Sequence, residues 1–130
     1  MLLGIVIVAH GGLAKEYLYA AEYVTGKNTK IEAISIYPSD DIDKKEKQIK
    51  DAVSNVEGGS GVIIVTDIHG STPANLALRA SKGLNCKILF GTNLPLLVKL
   101  IKVRQLSASE AVTLAIDAGK KYINWTNSLS

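Results

Sequence analysis

The stretch LLGIVIVA at residues 2–9, followed by His10-Gly11-Gly12, decides the predicted fold of this chain. The run is short, apolar on both faces and rich in β-branched residues, which is typical of a central parallel strand covered by helices on both sides. The two glycines end the strand. A helix with one apolar face is predicted to follow over residues 13–25.

The rest of the chain repeats this alternation of apolar runs and amphipathic segments. Further strands are predicted over residues 31–37, 62–66 and 86–90, further helices over 40–56, 72–81, 94–103 and 107–120, and a short last strand in the tail 121–126. The order predicts an α/β fold with one domain over residues 1–130. Its sheet is expected to be single, doubly wound and mostly parallel, with helices on both faces.

Composition limits the class of protein. Apolar residues make up 47% of the 130 residues and charged residues 21%, which is typical of a soluble globular domain. The net charge is only +3 and aromatic residues are 5%, so no nucleic-acid partner is expected. Cys86 is the one cysteine, which excludes an intramolecular disulfide and fits a reducing compartment. No run is long enough to span a bilayer, so we expect a soluble intracellular protein without membrane insertion.

Reactive side chains follow the ends of three predicted strands. In open α/β sheets, ligands bind in the crevice beyond the carboxyl ends of the strands. The first strand delivers His10, the third delivers Asp67, and the fourth leads into Gly91-Thr92-Asn93. One imidazole nitrogen can accept a phosphoryl group if the other carries a proton and is held by a carboxylate. His10 is therefore a candidate phosphoryl acceptor, and Asp67 is the candidate that orients it.

A candidate anion site follows Asp67. Ser71, Thr72 and the backbone N–H groups that begin the third helix would supply donors and the positive end of the helix dipole. Thr72-Pro73 is predicted to be the N-cap of that helix followed by proline at its first position. Gly11 leaves space beside His10. We therefore assign phosphate binding to Gly11, Ser71 and Thr72.

Simpler interpretations exist for each of these residues. His10 could cap its strand or bond a neighbouring carbonyl, and Asp67 could be only a turn residue. His69 and Asn93 are assigned to the rim of the site. A metal site built from His10, His69 and Asp67 is the weaker interpretation, because no ligand pair has a recognisable metal spacing. Neither glycine-rich nucleotide-binding motif is present.

Three segments carry a family resemblance. GIVIVAHGGLA at residues 4–14, VIIVTDIHGSTPANLA at 62–77 and GTNLPLLVKL at 91–100 resemble the enzyme IIA component of the mannose/sorbose family of the bacterial phosphotransferase system. The likeness covers essentially the whole chain. The first two motifs are fairly specific in combination, because both their content and their separation match.

The resemblance implies a cytoplasmic phosphotransferase of the phosphoenolpyruvate-dependent sugar phosphotransferase system. Such a protein accepts a phosphoryl group from the phosphocarrier HPr on the residue that is His10 here, and passes it to a histidine of an enzyme IIB partner. Asp67 would hydrogen-bond the acceptor histidine. Thr72, with Ser71 beside it, would hold the phosphate. No metal or organic cofactor is implied.

The resemblance also implies a homodimer. The family's sheet has an antiparallel edge strand that is exchanged between subunits, and here it would be the tail Tyr122–Thr126. One departure concerns the phosphate contact, because the family often has an aromatic residue and glycine before the serine. This chain has His69-Gly70-Ser71-Thr72 instead, so the hydroxyl could come from either Ser71 or Thr72.

Other functions stay open at this point. A IIA protein of this kind could serve a regulatory phosphorelay that moves no sugar, or feed a dihydroxyacetone kinase. A flavodoxin-like ligand-binding domain is disfavoured, because the loop HGGLA at residues 10–14 lacks the Ser and Thr expected of its phosphate loop. The sugar and the downstream acceptor are not encoded in these motifs.

Overall fold

One sheet with helices on either side makes up the described part of the chain, residues 1–129 of a computed structural model. The strands are β1 (Gly4–His10), β2 (Ile31–Ile36), β3 (Val62–Thr66) and β4 (Cys86–Leu89). The helices are α1 (Leu13–Thr25), α2 (Ile42–Val56), α3 (Thr72–Ser81), α4 (Leu94–Lys102) and α5 (Ala108–Lys121). The predicted α/β fold and the order of these elements are confirmed.

The strands run parallel in the order β2-β1-β3-β4. β1 therefore lies between two neighbours, with His10 opposite Ile36 of β2 and Val8 opposite Thr66 of β3. Parallel strands are joined by crossover helices, so their carboxyl ends meet at one edge of the sheet. This arrangement brings the end of β1 next to the residue that follows Thr66.

Alternate residues of β1 face two separate apolar clusters. Ile5 and Ile7 pack with residues of α1, α4 and α5, whereas Val6 and Val8 pack with residues of α2 and α3. These four side chains are at most 1% exposed. Burying one such side chain stabilises the fold by about 1.5–3 kcal/mol. The strand that ends at His10 is thus held from both faces of the sheet.

A buried arginine holds the start of β1. Arg104 donates from Nε to the carbonyl of Leu3 at 2.8 Å, from Nη1 to Thr29 at 2.9 Å and from Nη2 to Lys30 at 3.1 Å. Its side chain is buried, and burial lowers the pKa of the guanidinium. The rigid fork of donors joins the start of β1 to the residues before β2.

The predicted C-terminal edge strand is not seen within residues 1–129. α5 continues to Lys121, Tyr122 is its C-cap, and residues 123–129 adopt no regular structure. Ile123 and Trp125 are 73% and 83% exposed. A strand is stable when its N–H and C=O groups pair with a neighbouring strand, and within residues 1–129 the tail pairs with none. The observed sheet is therefore entirely parallel.

The loop before α2 also differs from the sequence-based expectation. An N-cap at Ser39 fits a helix that begins at residue 40, but the observed N-cap is Asp41, whose side chain accepts the Lys44 N–H. The N–H of Asp40 donates to the Tyr37 carbonyl at 3.1 Å, and its carboxylate accepts the Tyr37 N–H at 2.7 Å. This closed turn delays the start of the helix. At α5, Ser107-x-x-Glu110 has the sequence of a capping box, and the Glu110 N–H does donate to the Ser107 hydroxyl; the Glu110 carboxylate, however, accepts that hydroxyl and not the Ser107 backbone N–H.

Candidate functional site

The structure brings His10 and Asp67 into direct contact at the carboxyl edge of the sheet. Nδ1 of His10 lies 2.7 Å from Oδ2 of Asp67, and the same oxygen accepts the backbone N–H of His10 at 2.9 Å. The imidazole is half exposed, whereas the carboxylate side chain is only 8% exposed. Two bonds to one buried oxygen fix both the ring and the end of β1.

The environment of Asp67 keeps its carboxyl ionised. Burial alone would raise its pKa, but hydrogen bonds from the His10 backbone, the His10 ring and the Ile68 N–H outweigh that effect and lower the pKa below its ordinary value. An ionised carboxylate can only accept hydrogen bonds. The proton of the neutral imidazole therefore sits on Nδ1, and the lone pair sits on Nε2.

The His10 side chain lines a cavity of about 260 Å³. The other walls come from the end of β2, the loop before α2, the start of α2 and the start of α3: Ile36, Tyr37, Pro38, Ile42 and Thr72. Sequence reasoning named Thr72 but missed Tyr37 and Ile42. These two residues lie far from His10 in sequence, and only the pairing of β2 with β1 brings them to it.

The start of α3 corrects one detail and separates the two candidate hydroxyls. Ser71, not Thr72, is the N-cap, and Thr72 is the first helical residue. The Ser71 hydroxyl donates to the Ile68 carbonyl at 2.6 Å and makes no capping bond to the helix. It folds back because the turn before the helix places that carbonyl within reach. Thr72, by contrast, lines the cavity that contains His10.

Backbone donors are available at the same helix end. Pro73 has no N–H, and the N–H of Asn75 donates to the Ser71 carbonyl at 2.9 Å. Within residues 1–129, no acceptor pairs with the N–H groups of Thr72 and Ala74. Unpaired N–H groups at the positive end of a helix dipole favour an anion.

The other predicted site residues lie around this centre. Gly11 follows His10 with a φ of 53°, a conformation that suits glycine. The His69 ring stacks on Phe90 with centroids 4.0 Å apart, at the neighbouring end of β4. Asn93 caps α4 by accepting the Leu96 N–H and donates to the Gly119 carbonyl, so its side chain is already engaged. Their assignment to the rim stays a prediction.

Buried hydroxyl groups behind Asp67 were not singled out from the sequence. Tyr17 lies within the helix predicted over residues 13–25, and its hydroxyl donates to the Thr92 carbonyl at 3.0 Å. Burial first, and then the charge of Asp67, raise the pKa of Tyr17. Nothing in the local pattern around residue 17 distinguishes it from a purely structural tyrosine.

Comparison with known proteins identifies the family. Residues 4–116 match the family model described as the PTS system fructose IIA component. The chain belongs to the mannose-family enzyme IIA proteins of the phosphotransferase system. It is 30% identical over 109 residues to YadI of Escherichia coli (strain K12), described as a phosphotransferase enzyme IIA component, covering 83% of this chain and 75% of YadI. This IIA chain is thus a member of a phosphotransferase family.

Solved IIA structures share its fold. The PTS IIA protein associated with the fucose utilization operon from Streptococcus pneumoniae is 29% identical, with a TM-score of 0.82 over 95% of this chain and 93% of that chain. The mannose/sorbose specific IIA subunit from Enterococcus faecalis is 17% identical, with a TM-score of 0.86 over 100% of this chain and 98% of that chain. The second likeness concerns the fold alone.

Two further properties of this IIA chain concern the described residues only. Within residues 1–129, no helix has the length and hydropathy needed to cross a membrane. In the same range, no group of three or more His, Cys, Asp or Glu side chains is arranged to hold a metal ion.

Proposed function

We propose that this IIA chain is a phosphocarrier that accepts a phosphoryl group from phospho-HPr on His10 and passes it to a histidine of an enzyme IIB partner. The observation that carries the proposal is the 2.7 Å contact between His10 Nδ1 and Asp67 Oδ2. It engages one ring nitrogen and leaves Nε2 of a half-exposed imidazole as the nucleophile. Membership of the IIA family supports the same role.

The transfer balances without a separate acid or base. The Nε2 lone pair forms the new P–N bond as the P–N bond to the donor's imidazole breaks, and the electron pair of that bond stays on the donor's nitrogen. The phosphorylated His10 ring then carries a positive charge. The negative charge of Asp67 stabilises that ring through the Nδ1–H, as a buried aspartate does in the hydrolase triads. The onward step to enzyme IIB is the reverse reaction with a different partner.

The start of α3 is well suited to hold the phosphoryl oxygens. Thr72 lines the His10 cavity, and the N–H groups of Thr72 and Ala74 have no acceptor within residues 1–129. We infer that the contact from a hydroxyl group comes from Thr72, because the Ser71 hydroxyl donates to Ile68. Gly11 adds no side chain next to His10. Donors that face a developing anion are often the largest contribution to catalysis.

The direct test uses the two histidines of the chain as a matched pair. The protein is incubated with the general phosphotransferase components and labelled phosphoenolpyruvate, and the label on the chain is counted. We expect His69→Ala to be labelled like the parent, because His69 stacks on Phe90. His10→Ala should carry no label. A labelled His10→Ala variant would contradict the proposal, and adding a purified enzyme IIB should remove the label from the parent protein.

We further propose a cytoplasmic homodimer, joined through the exposed tail. A cavity of about 340 Å³ lies between α4 and α5, with Leu94, Val98 and Tyr122 among its lining residues. The adjacent Ile123 and Trp125 are largely exposed. Exposed apolar side chains beside an apolar groove favour association. Light scattering should give the mass of a dimer for the full chain and the mass of a monomer for a variant that ends at Tyr122. A truncated variant that is still a dimer would exclude the tail as the interface.

A further inference from the structure

Buried threonines connect β3, β4 and the loop after β4 directly beneath Asp67. The hydroxyl of Thr92 donates to the Thr66 carbonyl at 2.8 Å, and the N–H of Thr92 donates to the same oxygen at 3.1 Å. The Thr66 hydroxyl donates to the Leu89 carbonyl at 2.9 Å. Thr66 and Thr92 are 1% and 7% exposed, so water does not compete for these bonds.

These bonds continue the connection between the strands beyond the end of their ladder. β3 and β4 pair as far as Val65 opposite Leu89, which leaves the last residue of β3 without a ladder partner on that side. The Thr66 carbonyl belongs to the peptide group that leads into Asp67. Two donors on that oxygen fix the peptide plane, and the plane sets the direction in which the Asp67 side chain leaves the backbone.

Tyr17 adds an outer contact to the same structure. Its hydroxyl donates to the carbonyl of Thr92, so α1 is bonded to the loop after β4. The Thr92 side chain in that loop in turn donates to the Thr66 carbonyl, which belongs to the peptide group before Asp67. Burial, and after it the charge of Asp67, raise the pKa of Tyr17, and the two side chains share no hydrogen bond within residues 1–129. The buried Thr66 and Thr92 and the half-buried Tyr17 thus form one network, here called the hydroxyl network.

We propose that Thr92 is a positioning residue, which together with Tyr17 aims the Asp67 carboxylate at Nδ1 of His10. Its effect on phosphoryl transfer rests on the proposed function, whereas its effect on the imidazole does not. A network that only stabilised the fold would leave the His10 tautomer unchanged. A positioning network keeps the proton on Nδ1, and loss of the network should redistribute that proton between the two ring nitrogens.

Thr92→Val removes the hydroxyl with little change of shape. The Thr66 carbonyl keeps its bond from the backbone N–H of residue 92, so the variant is expected to fold. Thr92→Ser restores a hydroxyl at the same position. Thr113→Val is the matched control, because the Thr113 hydroxyl also donates to a backbone carbonyl, that of Ser109, but on α5 and remote from the site.

The first measurement is the ¹⁵N spectrum of the neutral His10 imidazole. We expect the parent, Thr92→Ser and Thr113→Val to show the proton on Nδ1. In Thr92→Val the two nitrogen shifts should move towards each other as both tautomers become populated. The initial rate of labelling by phospho-HPr should fall about 10-fold or more in this variant, by analogy with the loss of outer hydrogen-bond partners of metal-bound histidines.

The outcomes separate this proposal from the proposed function. The positioning role of Thr92 would be overturned if Thr92→Val had the same His10 nitrogen shifts and the same labelling rate as the parent protein. A labelled His10→Ala variant would overturn the phosphocarrier while leaving the imidazole result valid. If Thr92→Val does not fold, Tyr17→Phe is measured instead, because it removes only the hydrogen bond from Tyr17 to the Thr92 carbonyl. A movement of the two His10 nitrogen shifts towards each other would support the positioning role, and unchanged nitrogen shifts would overturn it.

Discussion

Oδ2 of Asp67 accepts hydrogen bonds from both the ring Nδ1 and the backbone N–H of His10, at 2.7 and 2.9 Å. One oxygen therefore fixes the side chain and the main chain of the same residue. Oδ1 accepts the Ile68 N–H at 2.9 Å, so the carboxylate cannot rotate without breaking a bond. The ring of His10 is oriented before any partner arrives.

Asp67→Asn is expected to remove most phosphoryl acceptance. The amide keeps the shape of the side chain but loses the charge, and its NH₂ can turn towards Nδ1 and place the ring proton on Nε2. The wrong tautomer lowers the labelling rate by about 10²- to 10⁴-fold, as the same change does in a serine protease triad. Stopped-time labelling by phospho-HPr measures the rate. A variant that is labelled within about twofold of the parent rate would show that Asp67 does not set the tautomer.

Thr72→Val and Ser71→Ala should differ although the residues are neighbours. Thr72 lines the His10 cavity, whereas the Ser71 hydroxyl is bonded to the Ile68 carbonyl. We expect Thr72→Val to slow labelling by about 10²- to 10³-fold, the scale of a lost oxyanion donor. Ser71→Ala should change the rate little, and Thr72→Ser should keep it. If Thr72→Val and Ser71→Ala lower the labelling rate equally, the assignment of the phosphate contact to Thr72 is contradicted.

Acid should weaken the contribution of Asp67 to stability. Its folded pKa lies below the ordinary value, so the contribution is fully present above the unfolded carboxyl pKa of about 3.9 and is lost as pH falls through the folded pKa. At neutral pH, Asp67→Asn should lower the free energy of unfolding by about 1–2 kcal/mol. Denaturant titrations of both proteins at several pH values measure this difference. The difference in free energy of unfolding between the parent and Asp67→Asn should shrink below about pH 3.9. A difference that stays the same in acid would show that ionisation of Asp67 does not stabilise the fold.

Arg104→Met should destabilise the fold strongly. The substitution removes the guanidinium donors from the carbonyls of Leu3, Thr29 and Lys30, at a cost of about 3–5 kcal/mol, although the Lys30 carbonyl keeps a second donor, the Ile5 N–H. Arg79→Met is the control, since Arg79 is half exposed and pairs with Glu46 and Asp43 at the surface. It should cost less than about 1 kcal/mol. Chemical denaturation compares the two variants, and similar losses would contradict a special role for Arg104.

Much of the site could be predicted from the sequence, because it depends on strand ends. Apolar β-branched runs identified β1 and β3, and the parallel arrangement then placed His10 beside Asp67. The choice between Ser71 and Thr72 could not be made this way. It depends on where one hydroxyl group points, which is decided by the turn at Ile68.

The rest of the site depends on contacts between distant segments. Tyr17 and Thr92 are 75 residues apart, and each has an ordinary local context: an apolar helix face and a loop after a strand. Tyr37 reaches the cavity only because β2 pairs with β1. The tail shows the opposite case, because its apolar alternation suggested a strand although no strand within residues 1–129 pairs with it.

The separation of His10 and Asp67 by 57 residues has a consequence for how the protein acquires its activity. Their contact requires β3 to dock beside β1 across the whole intervening segment, so the loop-closure entropy of that segment must be overcome. A nascent chain that lacks β3 has no Asp67 beside His10 and therefore no oriented imidazole. Under the proposed function, acceptance of a phosphoryl group on His10 therefore waits until β3 has docked beside β1.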